Sequence, residues 1–222
     1  PIRLFLNLNG AFHEATEAWG LASRTGCWTG VVAGDFDGDG RLDLACGNWG
    51  RNSIYELYRP SPIRLYFGDW ANDGAPRMME AYNQSGVWLP VHDRLWLERG
   101  MPDLATRYPT HQAFGKADVP GIIEPWGASR FIEASELAST VFLNRNGRFE
   151  ARALPKEAQL APVFSINSAD FDADGIEDLF LSQNFFGTAT DLTRDDAGRG
   201  LWLRGKGDGT FQAVDASESG IR

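Results

Sequence analysis

A run of closely spaced aspartates occurs twice in the sequence and constrains the fold more than any other feature. The first run is Asp35-Phe36-Asp37-Gly38-Asp39-Gly40-Arg41-Leu42-Asp43, and the second is Asp170-Phe171-Asp172-Ala173-Asp174-Gly175-Ile176-Glu177-Asp178. We number each run from one to nine, so that aspartates stand at positions one, three, five and nine and a glycine at position six. Carboxylates packed this closely repel one another. A hard cation such as Ca²⁺, which takes about six to eight oxygen ligands, offsets that repulsion.

The predicted calcium ligands are the four carboxylates of each run and the backbone carbonyl at position seven. The glycine at position six permits the sharp turn that brings this carbonyl toward the ion. In the first run the ligands are Asp35, Asp37, Asp39, Arg41 and Asp43. In the second run they are Asp170, Asp172, Asp174, Ile176 and Asp178. The sequence therefore predicts two Ca²⁺ sites, and the alternative for each run is an acidic turn exposed to solvent.

The residues that flank both runs predict strands rather than the helices of an EF-hand. Position twelve, where an EF-hand has its bidentate glutamate, is Cys46 in one run and Leu181 in the other. Residues 29–34 and 163–166 before the runs, and 42–46 and 179–181 after them, are short and alternating or β-branched. Each run is thus predicted to be the turn of a β-hairpin, and a simple hairpin would place Gly34 opposite Leu44.

A second type of hairpin recurs along the chain. Asn9-Gly10 and Asn146-Gly147 each lie between apolar segments and are closely followed by a phenylalanine, and residues 201–211 repeat the pattern with a glycine-rich turn. The Asn-Gly hairpin and the aspartate run recur together, first at residues 9 and 35 and then at 146 and 170. An internal repeat of this kind predicts a fold built from repeated units.

A degenerate copy of the aspartate run, the middle loop, spans residues 69–77. It keeps Asp69 and Asp73 at positions one and five, but has Ala71 at position three and Arg77 at position nine. These changes remove two carboxylates and add a cation, for which Glu80 at position twelve could compensate only in part. We expect the middle loop to keep its turn and to bind calcium weakly or not at all.

Charge and composition exclude several classes of partner. The net charge of −9 over 222 residues argues against binding to nucleic acid or to an anionic membrane surface, and no apolar run is long enough to cross a bilayer. The chain opens on Pro1 without a methionine, so we expect it to be part of a longer protein. Two cysteines, Cys27 and Cys46, are too few for a disulfide scaffold, and we expect two buried thiols.

The aspartate runs and Asn-Gly-x-Phe hairpins resemble FG-GAP/VCBS repeats, the calcium-bearing blades also found in integrin α-subunit propellers. The degenerate segment from Asp69 to Tyr82 and the Tyr108–Phe114 segment are similar to bacterial VCBS-repeat proteins of the cartilage-acidic-protein type. The resemblance implies an all-β fold, a β-propeller of antiparallel blades with cations at loops on one face, and export to the periplasm, the cell surface or the medium. At about 40 to 60 residues per blade the chain would hold about four blades, the last incomplete, as part of a larger propeller.

We predict the following division of the chain. Residues 1–62 form a blade unit with a calcium loop, 63–82 a degenerate blade loop, 83–138 an insertion with short helices, 139–197 a second blade unit with a calcium loop, and 198–222 an incomplete blade. The insertion is punctuated by prolines and does not fit the repeat. Such insertions often carry function, although a cap over a blade edge is an equal alternative.

Three functional classes stay open on the sequence alone. The chain has only three histidines, and it lacks both the Gly-x-Ser-x-Gly elbow and a glycine-rich phosphate loop, so no catalytic or cofactor-binding residue is predicted. We favour a calcium-stiffened module that binds an unknown protein or glycan and contacts the rest of a longer propeller. The alternatives are a propeller-type enzyme that acts on carbohydrate, such as a lyase, and a purely structural scaffold segment.

Overall fold

The computed structural model describes residues 1–70, 73–127, 130–188 and 194–221, and most of its regular structure is β. The strands are β1 (Phe5–Leu8), β2 (Ala11–Glu14), β3 (Gly30–Gly34), β4 (Asp43–Gly47), β5 (Ile63–Gly68), β6 (Arg77–Gln84), β7 (Val87–Pro90), β8 (Arg130–Ala134), β9 (Thr140–Asn144), β10 (Phe149–Ala153), β11 (Val163–Ala169), β12 (Asp178–Gln183), β13 (Leu201–Gly205) and β14 (Phe211–Ala213). The α-helices are α1 (Arg94–Glu98), α2 (Leu104–Arg107), α3 (His111–Phe114), α4 (Val119–Ile123) and α5 (Ala216–Ser219), and short 3₁₀ helices span Ile54–Tyr58, Glu124–Trp126 and Lys156–Gln159.

The chain divides into two compact units. The first unit combines residues 1–56 with 136–222, and the second comprises residues 57–135. In the first unit, the first sheet has the order β10-β9-β4-β3, the second sheet has the order β11-β12-β13-β14, and β1 and β2 pair with each other. Every neighbouring pair of strands is antiparallel, as expected for propeller blades.

The main core of the first unit lies between its two four-stranded sheets. The first sheet contributes Ala45 and Leu143, and the second contributes Leu179, Leu181 and Leu203, all of them fully buried. Each such leucine stabilises the fold by about 1.5–3 kcal/mol through its removal from water. A smaller cluster on the opposite face of the first sheet packs Cys46 and Phe142 against apolar residues of the N-terminal segment.

The Asn-Gly hairpins form as the sequence predicts. Asn9 and Gly10 have φ angles of 55° and 88°, and Asn146 and Gly147 have φ angles of 56° and 95°. Two consecutive residues with positive φ give the turn whose twist matches the flanking strands, and asparagine followed by glycine adopts it at least cost. The glycine-rich turn after β13 closes the third hairpin of this type.

The second unit has one four-stranded antiparallel sheet, the third sheet, in the order β7-β6-β5-β8. Helices α1 to α4 lie in the chain between β7 and β8, and Leu97, Leu104 and Ile122 from these helices pack with Tyr66 and Met79 of the sheet in one buried cluster. Asp93, Thr110 and Asp118 cap α1, α3 and α4 with their side-chain oxygens. The predicted insertion therefore contains short helices, and the all-β fold class with four antiparallel sheets is confirmed.

The sheets divide the chain differently from the boundaries predicted above. Strands β9 and β10, assigned to the blade of residues 139–197, complete the first sheet beside β3 and β4. Strands β13 and β14, assigned to an incomplete last blade, complete the second sheet. The predicted insertion contributes β7 and β8 to the third sheet. The reason is that a turn fixes only its own hairpin, whereas the neighbour of that hairpin in a sheet is set by packing between distant segments.

Two further details differ from the expectations. Gly34 pairs with Asp43 instead of Leu44, so the aspartate at position nine is the first residue of its strand. Cys46 is buried, but Cys27 is exposed, so the prediction of two buried thiols is wrong for Cys27. The two cysteines do not form a disulfide with each other.

Within the described part of the chain, no helix combines the length and the apolar character that crossing a membrane requires.

Candidate metal centres

The two aspartate runs form loops with the same backbone, here called the first loop (residues 35–43) and the second loop (residues 170–178). In the first loop the Asp35 carboxylate accepts hydrogen bonds from the backbone amides at positions five and six, at 3.1 and 2.9 Å. Asp170 accepts the same two bonds at the same distances in the second loop. The aspartate at position one therefore folds each loop back on itself, and its side chain satisfies amides that no strand partner can reach.

The aspartate at position five holds the next part of each loop. Asp39 accepts a hydrogen bond from the amide of Arg41 at 2.9 Å, and Asp174 accepts one from the amide of Ile176 at 2.8 Å. The carbonyls of Arg41 and Ile176, predicted as ligands, thus belong to residues whose amides are fixed. Their role as ligands stays a prediction.

The aspartate at position three pairs with an arginine of a neighbouring hairpin. Oδ2 of Asp37 accepts a hydrogen bond from Arg145 at 2.5 Å, and Oδ2 of Asp172 accepts one from Arg204 at 2.6 Å. Burial acts to raise the pKa of Asp37, but the hydrogen bond and charge of Arg145 together with a backbone amide outweigh it, so the pKa lies below its ordinary value. No sequence pattern identified these arginines, because each lies outside the run that it contacts.

The other oxygen of Asp37 has no partner in the described structure. The Asp37 side chain is only 8% exposed. Its Oδ1 atom is buried and accepts no hydrogen bond. A buried carboxylate oxygen without a donor is costly, so this atom points to a cationic ligand or an ordered water in the first loop.

The carboxylates at positions one, three and five come together in both loops. Asp35, Asp37 and Asp39 each offer an oxygen, and these three oxygens lie within 4.8 Å of one another. Asp170, Asp172 and Asp174 meet the same condition. Such sets of hard oxygens fit Ca²⁺ or Mg²⁺ and do not fit the soft metals that thiolates select.

The aspartate at position nine of the first loop is fully buried and anchors the loop. Asp43 accepts the amide of Phe36 on Oδ2 at 3.1 Å and the amide of Asn144, in strand β9, on Oδ1 at 2.7 Å. Burial raises the pKa of Asp43 despite these two hydrogen bonds. The side chain therefore joins the start of the loop to the adjacent strand of the first sheet.

Asp178 does the same in the second loop. It accepts the amide of Phe171 at 3.2 Å, the amide of Gly205 at 2.8 Å and the indole N–H of Trp202 at 3.0 Å. Sequence analysis predicted Asp43 and Asp178 as ligands, and that role is untested. What it missed is that both carboxylates also accept hydrogen bonds from the neighbouring strand.

The middle loop keeps the turn but has a different charge distribution. Asp69 accepts amides at 3.1 and 2.9 Å, and Asp73 accepts the amide of Ala75 at 3.0 Å, as in the other two loops. Arg77 at position nine places both terminal nitrogens 2.8 Å from the two oxygens of Asp73. These hydrogen bonds hold the pKa of Asp73 well below its ordinary range. The predicted turn is confirmed, whereas Ala71 at position three lies outside the described residues.

Glu80, considered above as a compensating ligand, lies on strand β6 with its carboxylate 3.2 Å from Nε2 of His92. The imidazole of His92 stacks on Trp96 at a centroid distance of 3.8 Å. The Glu80 carboxylate therefore already has a partner outside the middle loop.

Comparison with known proteins adds one family match. The model of the FG-GAP-like repeat matches residues 1–46, which comprise strands β1 to β3, the first loop and all but the last residue of β4. No curated protein matches the chain. The protein therefore carries an FG-GAP-like repeat, in a mostly β fold consistent with a partial propeller.

Proposed function

We propose that this chain is a calcium-binding propeller module of an exported or cell-surface protein, with one Ca²⁺ in the first loop and one in the second. The observation that carries the proposal is the buried, unpartnered Oδ1 of Asp37 beside Asp35 and Asp39. A water could donate one hydrogen bond to this oxygen, but it could not neutralise three neighbouring carboxylates. A divalent cation coordinates this oxygen and also offsets the negative charge of the carboxylates.

The residues present fit such an ion. The carboxylates at positions one, three and five would hold it in each loop, with the carbonyl of Arg41 or Ile176 and the carboxylate of Asp43 or Asp178 as further ligands. When bound, Ca²⁺ supplies positive charge and no redox or acid–base chemistry. Ca²⁺ accepts irregular oxygen sets, whereas Mg²⁺ demands an octahedron and keeps its waters, so we propose calcium.

The same reasoning excludes the middle loop from the proposal. In the first loop the guanidinium of Arg41 contacts only Oδ2 of Asp39, whereas in the middle loop the guanidinium of Arg77 pairs with both oxygens of Asp73. A metal ion would have to displace the Arg77 guanidinium from Asp73. The sequence has no carboxylate at position three or nine that would offset the loss of this ion pair. We therefore propose two sites rather than three.

Calcium is proposed to stiffen the loops so that the module can bind a partner. Loop sites of this class outside cells have dissociation constants on the order of 10⁻⁴ to 10⁻³ M, so millimolar calcium fills them and cytosolic calcium does not. With its loops stiffened, the module would present the segments between its strands to a protein or a glycan. A glycan-binding screen run beside a glycan-degradation screen separates this role from the enzymatic alternative.

Isothermal titration calorimetry tests the metal sites. We expect two calcium-binding events in the original chain and one in each of the variants Asp37→Asn and Asp172→Asn, which keep side-chain shape but remove a charge. Asp73→Asn is the matched control, because it makes the same change in the middle loop, and it should leave two events. Absence of calcium binding, or loss of a site in Asp73→Asn, would refute the proposal.

A further inference from the structure

A pocket of about 270 Å³ lies beside the middle loop, within the second unit. Strand β6 contributes Arg77 and Met78 to its walls, and helix α1 with the turn after it contributes Trp96, Arg99 and Met101. Two arginines, an aromatic ring and two thioethers therefore surround one space. Small-ligand sites have this composition, with mostly apolar walls and a few polar groups that fix orientation.

Arg77 is a fixed cation at this pocket. Its terminal nitrogens bind both oxygens of Asp73, and its Nε atom donates to the carbonyl of Gly100 at 3.4 Å. The side chain is 25% exposed. The guanidinium is thus held between the middle loop and the end of α1, and Asp73 balances its charge.

Arg99 carries a charge that nothing in the pocket balances. Its side chain is exposed, and no carboxylate of the described residues pairs with it. Glu98, its neighbour in the sequence, instead pairs with Arg94 at 2.5 Å. The described residues that line the pocket include two arginines and no acidic group, although the chain has a net charge of −9. The pocket therefore complements an anion.

Trp96 gives the pocket a rigid aromatic wall. Its ring stacks on the imidazole of His92 at a centroid distance of 3.8 Å and an angle of 13°. The carboxylate of Glu80 lies 3.2 Å from Nε2 of that imidazole, so His92 is held from two sides. The Trp96 side chain is half-buried. A flat ring fixed in this way can pack on the apolar face of a sugar and loses little side-chain entropy when it does so.

Position nine of the loop accounts for the sign of the charge. In the first and second loops this position is Asp43 or Asp178, and the neighbourhood is acidic. In the middle loop it is Arg77, whose charge cancels that of Asp73. An anion that approaches Arg99 beside the middle loop therefore does not meet the repulsion that it would meet beside the other two loops.

We propose that this pocket binds an acidic sugar, the uronate unit of a glycan, with the sugar ring against Trp96 and the carboxylate on Arg99. Arginine presents its N–H donors in a fork that matches the two oxygens of a carboxylate. The volume suits one sugar ring, since it lies just below the range of about 300–1,000 Å³ of sites for larger ligands. The proposal rests on the binding role proposed above and names its ligand class, but it requires no calcium.

NMR titration of the ¹⁵N-labelled chain in EDTA tests the site. Trigalacturonate and trimannuronate are the ligands, and EDTA is present because calcium could bridge their carboxylates to the acidic loops. The indole N–H signal of Trp96, one of eight tryptophans, is assigned by its absence in Trp96→Phe. We expect this signal to shift saturably with at least one of the two ligands.

Two further ligands separate the carboxylate from the ring. The methyl ester of trigalacturonate keeps the sugar rings without the charge, and C-terminally amidated triglutamate keeps three side-chain carboxylates without a ring. Each should bind about tenfold more weakly than the better uronate, because each lacks one of the two contacts.

Variants of Arg99 test the carboxylate contact, and the side chain is exposed, so the fold should tolerate them. Arg99→Gln should weaken uronate binding about tenfold, and Arg99→Lys about threefold, because lysine keeps the charge but loses the fork. Arg130→Gln is the matched control. Arg130 is an exposed arginine of the same unit whose guanidinium lies over Phe67, outside the pocket, and its removal should leave the affinity unchanged.

Four outcomes would overturn the proposal. Neither uronate could shift the Trp96 signal, or Arg99→Gln could bind as well as the original chain. Triglutamate could bind as tightly as the uronates, which would assign the pocket to acidic peptides. Binding could also appear only after calcium is added, which would assign it to the first and second loops. Because the titration uses EDTA, failure of the calcium sites leaves its result unchanged, and the two proposals can fail separately.

Discussion

The first, second and middle loops share the same hydrogen bonds from backbone amides to the carboxylates at positions one and five, but balance their charges in different ways. In all three, the residue before position one pairs with position nine, and the carboxylate at position one accepts the same two amides. In the first and second loops position nine is a buried aspartate bound to the next strand, whereas in the middle loop it is Arg77 on Asp73. The turn therefore depends on positions one, five and six, and the charge balance depends on three and nine.

Position nine offers the test with the largest expected effect. In Asp43→Ala, the amides of Phe36 and Asn144 lose their buried acceptor, and we expect the free energy of unfolding in EDTA to fall by about 2–5 kcal/mol. Arg77→Ala changes the same position of the middle loop, where the side chain pairs with a half-exposed carboxylate and accepts no buried amide, and should cost far less. Urea denaturation with EDTA present measures both. Equal losses would mean that Asp43 acts only as a metal ligand.

Calcium should stabilise the fold through the first and second loops alone. At a free concentration of about 100 times the dissociation constant, each site adds about 2.7 kcal/mol, and near the dissociation constant much less. Thermal melting should give a higher midpoint in Ca²⁺ than in Mg²⁺ or EDTA. The double variant Asp37→Ala with Asp172→Ala should abolish the difference, and Asp73→Ala should preserve it. Equal midpoints of the original chain in calcium and EDTA would argue for ordinary acidic turns.

Removing the arginine that contacts the aspartate at position three should have opposite effects on fold stability and on calcium affinity. Arg145→Gln leaves the nearly buried Asp37 carboxylate without its cation, so stability in EDTA should fall. The same change removes a charge that repels Ca²⁺, so calcium affinity of the first loop should rise about two- to fivefold. Calorimetry on Arg145→Gln and on Arg204→Gln compares the two loops.

The Arg204→Gln effect should be smaller, because Asp172 is more exposed than Asp37. A fall in calcium affinity in Arg145→Gln would show that Arg145 helps to build the site.

Much of each hairpin could be predicted from sequence because its signals are local. Asn9-Gly10 and Asn146-Gly147 specify their own turns. The spacing of the aspartates specifies the first and second loops, because the carboxylate at position one accepts amides of its own loop. The assignment of hairpins to sheets could not be predicted, because β4 and β9 pair across a gap that holds the whole second unit. The matched repeat, residues 1–46, runs from an Asn-Gly hairpin to an aspartate hairpin. In each four-stranded sheet of the first unit, the aspartate hairpin comes first and the hairpin of the Asn-Gly type follows it.

Within the candidate sites, the ligand types were predictable and their neighbours were not. The spacing of Asp35, Asp37 and Asp39 places their oxygens together because the turn is local. That Asp43 binds the amide of Asn144, and that Arg145 reaches Asp37, depends on strand β9 lying beside β4. The predicted register of β3 and β4 was wrong by one residue for the same reason. Gly34 pairs with Asp43, and this pairing brings the Asp43 carboxylate to strand β9.

The smallest expected effect lies in the middle loop and concerns pH. The hydrogen bonds from Arg77 and the amide of Ala75 lower the pKa of Asp73. A carboxyl whose pKa is lower in the folded state binds protons more weakly there than in the unfolded chain. Its contribution to stability is therefore complete above the unfolded value of about 3.9 and is lost as pH falls toward the folded pKa.

NMR titration of the Asp73 carboxyl carbon measures this shift directly. The original chain should titrate clearly below about 3.9, and Arg77→Gln should move the inflection back toward that value, because the amide of Ala75 alone remains as a donor. Arg99→Gln, an exposed arginine of the same unit, should leave the inflection in place. Because Asp73 is half exposed, added salt should weaken the attraction and raise the pKa of Asp73 in the original chain. An inflection that ignores both Arg77 and salt would assign the low pKa to the turn itself, and the middle loop would then balance its charge without its arginine.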